Sequence, residues 1–365
     1  MGKTLNSIVL RGVEYEIGNG AKDDNSEADF NISDEKGNVL AQFKNGHIKT
    51  KDFDSRAVNT GGVLYSKKYD GEKLDFTAEH TYKIEPFGTI ENWKNSQGCA
   101  IYKNYLVSVM ACDEMDEGAV NGHIHNIETL NLVSELKFGH KISEKSYNAP
   151  HANQVCFGNV FYNSNSKFPL LYVSQVNAGN GTILGEGGTL VYDLQGDDAN
   201  GYTPVLVQAI IPDLQDADLM SKIGKYTPNY IVDTDNNKLI VLGYPNATWF
   251  DVTGGTPVTV FNLPTIGNGS EVKLTDSDCL DSYRINPGHT IQMNVYQDGK
   301  IYCQCGVGGS SNKIRVLDLT LRKIVSEIDL SYRNGEPQGI MIWNNRLLWY
   351  DAGTSGEIDE FIFGN

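Results

Sequence analysis

The chain has no apolar run long enough to cross a membrane, and its first residues contain no apolar core of signal-peptide length. We therefore expect a protein that is made in the cytoplasm without a signal peptide and has no membrane span. Basic residues are also few, since 30 Lys and Arg stand against 46 Asp and Glu, a formal charge of −16. A chain this acidic does not favour binding to a polyanion, so nucleic acid is excluded as an expected partner.

Cysteine pairs with metal-binding or disulfide-framework spacing are missing too. The 6 cysteines include no C-x-x-C pair, and we predict buried free thiols. Helix signals are scarce, the best being "DLQDADLMSKIGKY" at residues 213–226. What the chain does have is 40% apolar residues over 365 positions, which is ample for one large core plus an appendage.

A hairpin pattern recurs along most of the chain. Five segments read as a strand, a short turn and a second strand, all rich in β-branched and aromatic residues. They begin at Gln97, His151, Asn229, His289 and Gln338. The separations are 54 (151−97), 78 (229−151), 60 (289−229) and 49 (338−289) residues. Propeller repeats of about 40–50 residues with loop insertions have this spacing.

The second halves of the units repeat as well. "VSELKF" from Val133 and "VSEIDL" from Val325 end two units, and "TLVYDLQ" from Thr189 and "TWFDV" from Thr248 hold equivalent places in two others. Four strands per unit follow, except that the last unit is one strand short. Residues 79–88, "EHTYKIEPFG", have the length and alternation to supply it.

These repeats predict an all-β protein, a five-bladed β-propeller over residues 78–365 that is closed by an N-terminal strand. The alternatives are a β-sandwich, which the repeat disfavours, and a six-bladed propeller with residues 60–90 as an extra half blade. In a propeller the first strand of each blade lines the central channel. The five starting residues would then form a polar ring at one mouth of the channel.

Asn153 lies two residues beyond His151 and shares its strand face. The matching positions further along the strands are mostly apolar: Cys99, Ile101, Val155, Ile231, Ile291, Met293, Ile340 and Ile342. Convergent amides and imidazoles above an apolar floor indicate a ligand site, although polar residues at a wet channel mouth can simply hold solvent. The candidate ligand-binding residues are Gln97, His151, Asn153, Asn229, His289 and Gln338.

The leading functional hypothesis is recognition of a glycan or another cell-surface ligand by this ring, helped by Trp93, Tyr244 and Trp249. The ring lacks the paired carboxylates that glycoside hydrolysis needs. Its two histidines and two glutamines resemble the His-and-Gln metal set of some propeller polysaccharide lyases. That resemblance implies the alternative, a metal-dependent glycan lyase or hydrolase in which His151 and His289 bind a divalent metal cofactor. A structural spacer with an empty mouth is the third reading.

Two other segments contain possible metal ligands. His123 and His125 alternate along one strand and share a face; an exposed pair near a blade edge is the expected reading, and a metal pair is the alternative. "EPQGI" at residues 336–340 is similar to the "EPEGI" strand start of phytase-like and lactonase-like propellers, in which the second Glu binds a metal. Gln338 replaces that Glu here.

Residues 1–60 differ from the rest. They contain a strand pair, "SIVLRGVEYEIG", an acidic linker, "NGAKDDNSEA", and, over residues 29–58, three short strands with turns at "DEKGN" and "KNGH". We expect this β module to pack on a neighbour, because it has too little core to stand alone.

The stretch "ADFNISDEKGNVLAQFKNGHIKTKDFDS" resembles the N-terminal module of tail-associated structural and fibre proteins of Bacteroides-type phages and prophages, with Asn45 where their "DGH" has Asp. The resemblance implies attachment to a phage-tail-like structural partner, often as a homotrimer and in the virion. The C-terminal domain would then meet the host surface.

Overall fold

The computed structural model describes five short strands near the amino terminus and most of the chain from residue 82 onward. The described residues are 7–10, 13–16, 30–33, 39–44, 47–50, 82–90, 96–110, 119–147, 152–175, 187–223, 229–243, 253–267, 269–308, 311–333, 335–344, 346–351 and 356–363. The chain divides into two compact units, Met1–Thr60 and Gly61–Asn365.

The first unit contains two small antiparallel sheets. One pairs β1 (Ser7–Leu10) with β2 (Val13–Glu16), and the other orders β3 (Phe30–Ser33), β4 (Val39–Lys44) and β5 (His47–Thr50) side by side. The predicted strand pair and the three predicted short strands are therefore confirmed.

The second unit is a five-bladed β-propeller, and each blade is one sheet. Its first strand in the chain is β6 (Tyr82–Thr89). Blade 1 contains β7 (Ser96–Tyr102), β8 (Tyr105–Met110), β9 (Gly122–Asn126) and β10 (Leu132–Leu136). A separate ribbon follows, made of β11 (Lys141–Ile142) and β12 (Lys145–Ser146).

A short helix joins blades 2 and 3, and the chain of blade 3 adds one strand to the sheet of blade 2. Blade 2 contains β13 (Val155–Phe157), β14 (Leu171–Ser174), β15 (Thr189–Asp197) and β16 (Gly201–Pro212), and helix α1 (Ala217–Ile223) follows. Blade 3 contains β17 (Asn229–Asp233), β18 (Lys238–Leu242) and β19 (Thr256–Asn262). The chain then adds β20 (Ser270–Leu274) parallel to β16, and returns through a 3-10 turn (Asp276–Asp278) as β21 (Cys279–Ile285), the outermost strand of blade 3.

The last two blades have the simple four-strand order. Blade 4 contains β22 (Ile291–Gln297), β23 (Lys300–Cys305), β24 (Lys313–Asp318) and β25 (Lys323–Asp329). Blade 5 contains β26 (Pro337–Trp343), β27 (Arg346–Asp351) and β28 (Glu357–Phe363), and β6 is its outermost strand.

Closure of the ring depends on β6. It pairs antiparallel with β28, from Thr89 opposite Glu357 to Tyr82 opposite Phe363, and the five innermost strands contact one another in a closed cycle. The predicted closure by residues 79–88 is confirmed, and the β-sandwich and six-bladed alternatives are wrong.

Two predicted elements differ in detail. The predicted helix at residues 213–226 is present but shorter, as α1. The third strand of blade 3 is Thr256–Asn262 rather than the segment from Thr248, and residues 248–252 lie outside the described residues. The addition of β20 to the sheet of blade 2 was not predicted, because its sequence, "SEVKL", looks like an ordinary continuation of blade 3.

The blades stack face to face, so most strands are buried on both faces. Every residue of β14 and of β17 is buried. The innermost strands consequently turn alternate side chains toward the two neighbouring blades and present a backbone edge to the channel. For this reason part of the predicted channel lining is wrong: Ile231 and Ile291 pack in the core between blades 3 and 4.

Other predictions concern buried groups. Cys99, Cys303 and Cys305 are buried free thiols, as expected. Cys156 and Cys279 are free thiols that are only half-buried, and Cys112 lies outside the described residues. His123 and His125 are buried rather than exposed, because β9 is an inner strand of its blade with β8 and β10 on either side. Within the described part of the chain, no helix is long and apolar enough to span a membrane.

Candidate functional site

The ring residues that the structure describes, and Asn153, lie at the face of the propeller where the innermost strands begin, which we call the amino face; the opposite face is the carboxyl face. Asn229 is the first residue of β17. Gln97 and Gln338 are second in β7 and β26, and each falls at a β-bulge. Asn153 and His289 precede β13 and β22 by two residues.

Four further predicted residues fall outside the described residues. They are the ring residue His151 and the three aromatic residues expected to help bind a glycan, Trp93, Tyr244 and Trp249.

A glycine follows each bulged glutamine, and packing explains both. A Cβ atom at Gly98 would overlap the carbonyl oxygen of Ala152, which lies three residues before β13, and one at Gly339 would overlap the ring of Tyr350. Only glycine permits this close approach of backbone and ring. The shared "QG" at the start of β7 and β26 thus has a structural cause.

The ring is buried rather than open to solvent. Relative exposure is 1% for Asn229, 2% for Gln338, 5% for Asn153 and 6% for His289, whereas Gln97 is half-buried. The amino end of the channel is therefore filled with polar side chains. Hydrogen bonds among them determine what they can offer a ligand.

One set of these bonds centres on Gln292, a buried residue of the bulge in β22. Its Nε2 donates to the carbonyl oxygen of Gly306 at 3.2 Å and to Oε1 of Glu336 at 2.7 Å. Its Oε1 accepts from Nδ2 of Asn153 at 3.3 Å, and its backbone oxygen accepts from Nδ2 of Asn229 at 3.3 Å. Side chains from blades 2 and 3 and from the start of blade 5 thus meet on one glutamine of blade 4.

A second set joins Gln154 and Asn294 across the channel. Oε1 of Gln154 accepts from the backbone N–H of Asn294 at 2.9 Å and from its Nδ2 at 3.1 Å. Nε2 of Gln154 donates to the backbone oxygen of Asn294 at 3.0 Å. This side chain links blades 2 and 4, which are not neighbours in the ring.

Backbone groups set the orientation of every amide in the two sets. Gln154 faces a backbone N–H and a backbone oxygen, so its Oε1 and Nε2 cannot be interchanged. Since Oε1 can only accept, the group of Asn294 that bonds to it must be the donor Nδ2. Gln292 is fixed by the Gly306 carbonyl in the same way, so Asn153 must donate to it; Asn229 donates to a backbone oxygen directly. The side-chain oxygens of Asn153, Asn229 and Asn294 consequently face away from these partners. They are buried and accept no hydrogen bond from the described residues.

His289 is held as a neutral imidazole. Burial, and then the nearby Arg315, lower its pKa from 6.5 to about 3. Its Nδ1 lies 3.2 Å from Oγ1 of Thr256, which also accepts from the backbone N–H of His289 at 3.3 Å. A cationic guanidinium close to the ring disfavours a second cation there.

The metal-dependent alternative needs several ligands around one point. Among the described residues, no group of three or more His, Cys, Asp or Glu side chains is placed to bind a metal ion. His289 is the one member of the predicted metal pair that the structure places, and Thr256 occupies one side of its ring.

The carboxyl half of the channel contains a cavity of about 120 Å³. All five innermost strands contribute to its wall. Cys99, Val155, Met293 and Ile340 of the predicted channel lining line it, and so do residues of the opposite strand face such as Ala100 and Met341.

We call the residues of the two hydrogen-bonded sets, Asn153, Gln154, Asn229, Gln292 and Asn294, the amide cluster. Three of them, Gln154, Gln292 and Asn294, were not predicted. Gln154 follows the predicted Asn153 directly, and Gln292 and Asn294 flank Met293 in an otherwise apolar strand. Adjacent polar residues before an innermost strand, as at Asn153 and Gln154, and polar residues on both sides of an apolar one, as around Met293, could have indicated a buried hydrogen-bonded cluster. The bulge in β22 that brings Gln292 and Asn294 to the cluster has no such signal in the sequence.

Comparison with known proteins identifies no family for this chain. No protein-family model matches the sequence, and no curated protein does. A glutaminyl cyclase of Myxococcus xanthus is similar in structure, with 10% sequence identity and a TM-score of 0.42, over 77% of this chain and 94% of that one. A tail fibre of the Staphylococcus aureus phage P68 is similar with 14% identity and a TM-score of 0.43, over 81% of this chain and 55% of that one.

Proposed function

We propose that this protein is a recognition module whose propeller binds a polyhydroxylated ligand, a glycan of a cell surface, at its amino face. The observation that supports the proposal is the set of three amide oxygens, on Asn153, Asn229 and Asn294, that are fixed in orientation and accept no hydrogen bond from described residues. Hydroxyl groups of a sugar are the donors that such acceptors need. Because the three oxygens are buried, a ligand would reach them only by displacing the side chains that cover them.

The first contacts would come from Gln97 and Glu336. Both are half-buried, and Glu336 is bonded through Oε1 to Gln292, at the centre of the cluster. A ligand hydroxyl that binds Glu336 would therefore compete for the hydrogen bond that orients Gln292. His151, which lies outside the described residues, belongs to the same proposed site through its position in the sequence.

Attachment through the amino-terminal unit is a second part of the proposal. The propeller domain, residues 78–365, would present the amino face to the host surface. The β module, residues 1–60, would join a phage-tail-like structural partner, as a homotrimer in a virion. The resemblance of residues 28–55 to such modules supports this part.

A glycan array probed with the full-length protein tests the recognition step. We expect selective retention of one glycan class and, in the Gln97→Ala, Glu336→Gln double variant, a loss of affinity of about tenfold, the size of one hydrogen bond to a charged group. Glu128→Gln is the matched control, because Glu128 is an exposed carboxylate in a turn at the carboxyl face. Retention of no glycan, or equal binding by both variants, would refute the proposal.

A further inference from the structure

We infer that the cavity at the carboxyl end of the channel is a second ligand site, which accepts a single apolar group no larger than about one six-membered ring. It opens toward the carboxyl face, whereas most of the amide cluster lies toward the amino face; Asn294 belongs to both, since it lines the cavity and is bound by Gln154. The inference goes beyond the glycan site proposed for the amino face, because it concerns a different ligand and a different opening.

The gradient of burial along the wall shows where the cavity opens. Cys99, Val155 and Met293 are buried at its inner end. Phe157 and Ile342 also line it, close to the ends of their strands, and both are half-buried. The cavity is consequently closed toward the amino face and accessible from the carboxyl face.

The side chains of the wall are mostly apolar, and Thr234, Asn294 and Tyr296 are its polar members. No charged side chain is among the described residues that line the cavity. Two of the backbone edges that reach the channel are satisfied internally, because Sδ of Met293 accepts from the N–H of Cys99 at 3.3 Å and Gln154 binds both backbone groups of Asn294. An enclosed apolar cavity of about 150 Å³ is known to bind benzene, so about 120 Å³ fits a group of similar or slightly smaller size.

An aromatic surface extends from the opening. The ring centroids of Phe157 and Tyr102 are 5.8 Å apart, and those of Tyr102 and Phe161 are 6.1 Å apart. Phe161 and its neighbour Val160 are 42% and 45% exposed, so the three rings in contact form a continuous, partly exposed apolar surface. A ligand whose apolar group enters the cavity would lay its remaining part on this surface.

A polar group marks the other side of the opening. The hydroxyl of Tyr296, whose residue also lines the cavity, donates to Oδ2 of Asp235 at 2.9 Å. Asp235 is exposed and can accept further hydrogen bonds. The site therefore combines an apolar pocket with an acceptor at its rim, the usual composition of small-ligand sites.

Binding of benzene to the full-length protein, followed by NMR shifts of methyl groups in Ile101, Ile342 and Met293, tests the inference. Ile342→Trp should fill the opening and weaken benzene binding at least tenfold. Ile84→Trp is the matched control, since Ile84 is a half-buried isoleucine on β6, the outermost strand of its blade, and it should leave binding unchanged. Equal binding by both variants, or no binding by the unmodified protein at millimolar benzene, would overturn the inference.

A second measurement does not depend on a variant that folds. Crystals of the unmodified protein under xenon pressure should show xenon between Val155 and Met293, and ordered water alone at that position would contradict the apolar assignment. A comparison of probes then identifies the source of the apolar group. Tenfold tighter binding of N-acetyl-phenylalaninamide than of benzene assigns the site to a side chain of a partner polypeptide, and equal binding assigns it to a free small molecule.

Discussion

Gln154 of blade 2 binds both backbone groups of Asn294 of blade 4, accepting from the N–H at 2.9 Å and donating to the C=O at 3.0 Å. Both residues are buried, with 0% and 1% exposure. The channel-facing edge of an innermost strand has no neighbouring strand to bond its N–H and C=O groups. Here the side chain of Gln154 forms hydrogen bonds to two such groups from across the channel. The pair therefore ties two blades that share no sheet and no blade-to-blade face.

Replacing Gln154 with leucine should destabilise the propeller. The apolar side chain keeps most of the volume but leaves two buried backbone groups of Asn294 without partners, at a cost of about 1–3 kcal/mol each. We expect the free energy of unfolding in urea, followed by tryptophan fluorescence, to fall by roughly 2–6 kcal/mol.

The matched control is Gln215→Leu. Gln215 is an exposed glutamine whose Nε2 donates to Asp213 in an exposed hydrogen bond of 3.4 Å, and its replacement should change the unfolding free energy by no more than about 0.5 kcal/mol. An equal loss in the two variants would mean that the bond across the channel does not contribute to stability.

Gly98→Ala should also destabilise the protein, by a different mechanism. The added methyl group overlaps the carbonyl oxygen of Ala152, so β7 and the segment that leads into β13 must move apart, which costs about 1–3 kcal/mol by analogy with overpacked cores. Thermal unfolding measured by calorimetry gives the change. Gly139→Ala is the control, since nothing lies within 4 Å of a Cβ atom there; a variant at Gly98 as stable as this control would contradict the close-approach argument.

The architecture was accessible from the sequence because each blade carries its own local signals. Turn residues such as Asn237, Asp298 and Asn344 adopt positive φ angles of 53°, 51° and 45°, a backbone conformation that asparagine and aspartate tolerate better than most residues. The closing strand β6 was found by counting strands, since a propeller leaves no unpaired blade. These are properties of short segments, and each can be read without knowledge of its neighbours.

The candidate site was predicted only in part, because it depends on contacts between blades. The sequence places Asn153, Asn229 and Gln338 at strand starts, but it does not show that Gln292 and Gln154 would bury them. The prediction assigns alternate side chains of an innermost strand to the channel and the others to the core. In fact the strand presents its edge to the channel, so Ile231 and Ile291 pack between blades and both strand faces contribute to the cavity wall.

Stability should depend on pH through His289. Burial and Arg315 lower its pKa to about 3 in the folded state, against the ordinary value of 6.5 that the imidazole has when the chain is unfolded. Between these values the unfolded chain binds a proton that the folded one does not, so stability is full above about pH 6.5 and decreases as the pH falls toward 3.

Unfolding free energies measured from pH 4 to pH 7 should therefore show a smaller pH slope for His289→Gln than for the unmodified protein, by about one proton. The comparison of slopes is needed because burial also lowers the pKa of His123, which contributes in the same direction. If the two slopes agree, His289 is not held neutral by the fold.

Closure by β6 gives the last prediction. β6 covers the edge of β28 and contributes Phe87, whose ring meets Trp343 edge to face at 5.9 Å. A chain that begins at residue 78 retains this strand, and one that begins at residue 91 lacks it. We expect the longer fragment to unfold in a single cooperative transition and remain monomeric. The shorter one should lose cooperativity and self-associate, because an unpaired β28 edge and the apolar face of blade 5 become exposed. Calorimetry with light scattering distinguishes the two, and a peptide of residues 78–90 added to the shorter fragment should restore the transition. A shorter fragment that is equally stable without the peptide would show that the ring closes without its N-terminal strand.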